Sequence, residues 1–100
     1  MIAAAATALA LAVAAGPVQT VQVRDDVFSR TSLTVKKGTT VKWVWRGEAP
    51  HNVTVTKGPK VFRSTTQTRG TYKRKLKRRG TYELLCTVHS PDMTMRLKVR

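Results

Sequence analysis

The sequence predicts an all-β fold, a Greek-key β-sandwich of about seven short strands. Three observations carry that expectation. Apolar residues recur at every second position in short runs, Gly- and Pro-containing turn signals separate those runs, and after Gly16 no segment sustains a helical period.

Val21 and Val23 alternate with Gln22 and Arg24, and Leu33 and Val35 alternate with Thr34 and Lys36 before the turn signal Lys37-Gly38. Val41, Trp43 and Trp45 share one face of the next strand, which Arg46-Gly47 ends. After Ala49-Pro50, His51, Val53 and Val55 share a face, and Lys57-Gly58-Pro59 is another turn. Gly70 and Gly80 bracket a strand in which Tyr72 and Leu76 are expected to point inward. Arg74 breaks that alternation, which places it near a sheet edge or snorkelling outward. Tyr82, Leu84 and Cys86 follow on one face, and Met93, Met95, Leu97 and Val99 alternate with polar residues to the end.

Length and charge narrow the class. One hundred residues make one small domain, and Lys+Arg 19 against Asp+Glu 5 gives a net charge of +14. The first charged side chain is Arg24. Residues 1–15 are almost wholly apolar, with Ala12, Ala14 and Ala15 ahead of Gly16-Pro17, as in the apolar core and small-residue cleavage site of a secretory signal. No basic residue follows Met1, and Gly16-Pro17 interrupts too early for a spanning helix, which needs about 20 apolar residues. The expectation is export to the periplasm, cell envelope or exterior, with residues 16–100 as the exported domain and an uncleaved anchor as the alternative for the first segment. A small domain buries little surface, and with Cys86 as the single cysteine no internal disulfide can staple it. A bound metal is the next means of stabilisation.

The residues able to hold one are few. Apart from Met1 the chain has two His, one Cys and two Met. His51 follows Pro50; Cys86 ends a strand, His89 lies in the loop after it, and Met93 opens the last strand. A thiolate and two imidazoles with a weak axial thioether suit copper, because soft sulfur favours Cu(I) and imidazole suits Cu(II). Three of the four donors come from one tight connection, and His51 comes from another part of the sheet. Taken singly, a buried Cys is a small hydrophobe and a strand-end His is structural; the joint pattern is what points to a metal.

These residues resemble the cupredoxins, the blue-copper proteins, especially their plastocyanin-like and amicyanin-like members. The resemblance runs from about Val21 to Val99 and includes Phe28 with Thr31–Val35, Gly38–Trp43, Ala49–Val53 and Gly80–Cys86. It implies one copper ion held by His51, Cys86, His89 and Met93, with Asn52 bonding near the Cys loop and stiffening the site. It also implies that electrons pass through His89 at the protein surface. Two departures stand out. The His-x3-Met spacing of the loop lies between the His-x2-Met and His-x4-Met of those two groups, and Trp45 stands where many relatives have Asn. Met95 is the rival to Met93 as axial donor, but two residues further along the strand it is better placed to pack the core. Trp43, Trp45 and Tyr82 are read as core and rim packing rather than electron relays.

Arg69, Lys73, Arg74, Lys75, Lys77, Arg78 and Arg79 put seven of the nineteen cations into eleven residues. A solvated hairpin guarding a sheet edge explains a few lysines; seven indicate a field that attracts acidic partners. Nucleic acid is not expected, since export argues against it and no groove-reading motif or stacking platform accompanies the run. The partner is expected to be an acidic redox protein or an anionic envelope surface. The leading reading is an exported monomeric electron carrier, cycling one copper between Cu(II) and Cu(I). Nothing points to an enzyme or a small-molecule substrate, because the carboxylates are few and scattered and four donors fill the metal. The alternatives are a copper-delivery module and a basic exported β-domain that binds acidic envelope polymers.

Overall fold

The computed structural model describes residues 17–100; the expected signal segment, residues 1–15, lies outside them. Eight strands follow in order: β1 Val18–Arg24, β2 Val27–Phe28, β3 Ser32–Val35, β4 Thr40–Trp45, β5 Thr54–Lys57, β6 Thr71–Lys75, β7 Gly80–Leu85 and β8 Thr94–Val99. No helix occurs among the described residues. The expected all-β sandwich is what forms.

Two four-stranded sheets make it up, ordered β2-β1-β4-β6 and β3-β8-β7-β5. The chain switches sheet at β3, β4, β5, β6 and β7, so strands that meet are often not sequence neighbours. Two pairs, β1 with β4 and β3 with β8, are parallel, and the others are antiparallel. The alternation read from the sequence is what buries the core. β4 and β8 place every second residue inside, which puts Val41, Trp43 and Trp45 of one sheet and Met95, Leu97 and Val99 of the other into the core. Trp43 sits at 0 % exposure with its ring 6.1 Å from that of Phe62 and 5.9 Å from that of Tyr72.

The register gives the sandwich two distinct ends. At one end lie the close of β4 at Trp45, the β1–β2 turn, His51 and the close of β7 leading to Cys86. At the other lie Thr40, Leu76, Gly80 and Val99, where Thr40 N–H donates to Pro17 O and Gly38 N–H to Leu76 O. Gly38 adopts φ 94° in that second end's turn, a conformation that favours glycine. Arg74 behaves as expected of a residue at a sheet edge: β6 is an outer strand, and the Arg74 guanidinium lies 5.0 Å over the Phe62 ring.

Candidate metal centre

Pro50 directs the chain out of the β4–β5 connection, and His51 then pairs with Gln67 through two backbone hydrogen bonds of 3.0 and 2.9 Å. The His51 carbonyl also accepts the Trp45 indole N–H at 3.1 Å. Trp45 thus packs at the rim as expected and in addition fixes the backbone of His51. On the other side, the loop from Cys86 to Met93 closes on itself. Cys86 N–H donates to Met93 O at 3.0 Å, and His89 N–H donates to Cys86 O at 3.2 Å. Met93 is thereby held beside Cys86 before β8 begins, whereas Met95 lies within β8 opposite Leu84.

Inside this frame Cys86 and His51, both at 0 % exposure, face one another, with Sγ 3.8 Å from Nδ1. That is too long for a strong hydrogen bond. It suits two donors that each bind one ion at about 2.0–2.3 Å. Met93 is buried next to them at 1 % exposure. His89 is turned partly away: its ring lies 4.8 Å from that of His51, Nδ1 is 3.3 Å from an Asp26 carboxylate oxygen, and Nε2 is buried without a partner. Accordingly, no three His, Cys, Asp or Glu side chains among the described residues already close around one point. The orphaned Nε2 is the atom that a metal would satisfy, or that a half-turn of the ring would exchange for Nδ1. A soft thiolate, two imidazoles and a buried thioether at one end of a stiff sandwich form a donor set that fits copper.

The side-chain hydrogen-bonding capacity of Asn52 is filled. Its amide donates to Thr66 Oγ1 at 2.9 Å and Thr87 Oγ1 at 2.7 Å, and its carbonyl oxygen accepts from Thr54 Oγ1 and Thr87 N–H. Its own backbone N–H points at Cys86 Sγ from 3.4 Å. One side chain therefore ties the His51 segment to the residue after the cysteine.

The sequence reading missed the β1–β2 turn. Asp25 Oδ1 lies 2.9 Å from His51 Nε2 and also accepts Glu48 N–H at 3.1 Å and Ala49 N–H at 2.9 Å. The His51 bond first, and the two backbone N–H groups next, lower the carboxyl from its ordinary 3.8 to about 2. An ionised carboxylate only accepts, so Nε2 carries the proton, and in the neutral imidazole that a metal requires Nδ1 has its lone pair toward Cys86. Gly47 makes room for this. A Cβ there would overlap the Asp25 carboxylate and come within 2.8 Å of its backbone nitrogen. The adjacent residue, Asp26, faces His89, so one two-residue turn supplies a carboxylate to each histidine.

The basic run divides. Arg69 lies at the metal end, where Gln67 Nε2–H donates to its carbonyl. Lys73 and Arg74 occupy the middle of β6, and Lys75, Lys77, Arg78 and Arg79 lie toward the opposite end. The structure does not bring these last four to His89.

Comparison with known proteins agrees with the geometry. Residues 17–100 match the family described as copper binding proteins, plastocyanin/azurin family. No curated protein sequence matches the chain. Among solved structures, an oxidised amicyanin variant is 27 % identical over 82 % of this chain and 81 % of its own, with a TM-score of 0.73. The Cu(I) form of another amicyanin variant is 29 % identical over 86 % and 85 %, with a TM-score of 0.75. The copper-containing nitrite reductase of Thermus scotoductus SA-01 is 26 % identical over 84 % of this chain but only 22 % of its own, with a TM-score of 0.75. With the family match spanning every described residue, the chain belongs to the plastocyanin/azurin family of copper-binding proteins, and copper is its cofactor.

Proposed function

We propose that this protein is an exported carrier of single electrons, residues 16–100 forming the exported domain, and that His51, Cys86 and His89 hold its copper with Met93 as a weak fourth donor. The observation that carries the reading is Cys86 Sγ facing His51 Nδ1 in a fully buried position. Bound copper supplies a one-electron couple. The chain's own residues do the rest. Asp25 fixes the His51 tautomer, the Asn52 N–H bonds the thiolate sulfur, and the Asn52 side-chain bonds hold the two ligand-bearing segments at one spacing. Donors anchored in this way move little when the charge on the ion changes, which favours rapid exchange over substrate turnover. Four donors leave no position for a substrate. His89 is 28 % exposed beside Val88 at 48 %, a small apolar surface through which a redox partner exchanges electrons.

Purified protein given Cu(II) is expected to turn blue through thiolate-to-copper charge transfer and to bleach reversibly with a mild reductant. A protein that stays colourless, with copper affinity unchanged in Cys86→Ala, would overturn the reading. Colour without rapid electron exchange would point instead to a copper-delivery module.

A further inference from the structure

Four of the five acidic residues are gathered at one end of the molecule, away from most of the lysines. Asp25, Asp26, Glu48 and Asp92 lie at the metal end, and Glu83 is opposite Arg96 along β7. The other end carries exposed Lys36, Lys37, Lys75, Lys77, Arg78 and Arg100 and no acid at all. Six-residue strands at about 3.3 Å per residue separate the two ends by roughly 20 Å. Edge protection needs a few lysines on β6, but it does not need an end of the molecule without a counter-charge.

A groove of about 420 Å³ opens in this basic half. Its rim is cationic, with Lys60, Lys75, Lys77 and Arg78. Its floor is apolar, formed by Phe62, Leu76 and Tyr82. The Tyr82 hydroxyl donates to Arg78 O, and burial holds its phenol above the ordinary range, so the floor stays neutral. Val61, between two groove residues, is 70 % exposed, and Val18 at the same end is 55 % exposed. The described chain also enters the sandwich at this end, where Pro17 O accepts Thr40 N–H.

We propose that the basic end docks on an anionic phospholipid bilayer and leaves the metal end turned away from it. Cations alone would serve any polyanion. Cations around an apolar floor, with exposed valines beside them, match a phosphate headgroup lying over acyl chains. The docking itself is independent of the copper reading. Only its consequence, a His89 surface left free for a soluble redox partner, rests on that reading.

Metal-free full-length chain, sedimented with phosphatidylcholine vesicles, tests this by the increment in bound protein when about 30 mol % phosphatidylglycerol is included at about 0.15 M salt. The expected result is a large increment, reduced about 100-fold in the triple variant Lys75→Gln, Lys77→Gln, Arg78→Gln, at about fivefold for each cation lost. The triple variant Arg24→Gln, Arg46→Gln, Arg69→Gln, which removes equal charge from the metal end, is expected to keep the increment within about threefold of the parent. Val61→Ser at its open surface position is expected to weaken vesicle binding several-fold while leaving binding to soluble polyphosphate unchanged. Absence of an increment, or equal losses in the two triple variants, would overturn the proposal. Val61→Ser without effect on vesicles would overturn it as well, in favour of a polymeric anion.

Discussion

A carboxylate that accepts the proton of one imidazole nitrogen makes the other nitrogen a better donor to a metal, and Asp25 is placed to do this for His51. Asp25→Ala is expected to weaken Cu(II) binding about 10- to 100-fold in competition with a chelator. Asp25→Asn, which keeps an accepting oxygen but not the charge, should fall between it and the parent. Unchanged affinity in Asp25→Ala would reduce the pair to a surface contact. The candidate donors were legible in the sequence, because Pro-His-Asn and Cys-x2-His-x3-Met put two imidazoles, a thiol and a thioether next to strand ends at spacings that a connection between strands enforces. Asp25 and Asp26 were not. They stand 26 and 25 residues before His51, and an Asp pair between two short runs reads only as a turn former. Gly47 was hidden for the same reason: its role is the space it leaves for a residue far off in sequence.

At the scale of elements, period-two alternation was a reliable guide wherever one face of a strand is buried. β3, β4, β7 and β8 follow the runs read from the sequence almost residue for residue. β2, only Val27–Phe28, is too short to show a period. The parallel pairing of β1 with β4 arises from a crossover between sheets, and no local pattern encodes it. The same pairing makes β4 the keystone of its sheet, with β1 and β6 on its two sides and the Trp43 ring against Phe62 and Tyr72. Trp43→Ala is expected to cost about 3–5 kcal/mol in chemical denaturation, since the cavity cannot be filled from either side. Trp43→Phe is expected to cost less, because the indole N–H it removes is buried and has no partner. A loss under about 1 kcal/mol in Trp43→Ala would mean that the two sheets can collapse around the gap.

Across the whole molecule, composition announced +14 but could not say where it sits. The basic run looked continuous along the chain. Folding separates Arg69 from Lys75 by the length of β6, because an antiparallel strand carries its two termini to opposite ends of a sheet. The separation of charge therefore follows from topology rather than from any local signal, and it turns a net charge into a direction. Such a molecule has a large permanent dipole and will align in an electric field. On a negatively charged electrode it should settle basic end down, with His89 some 20 Å from the conductor at about 3.3 Å for each strand residue. Voltammetry of the copper-loaded protein there should give sluggish currents. On an apolar, uncharged monolayer, free to meet the Val88–His89 surface, the same protein should respond quickly.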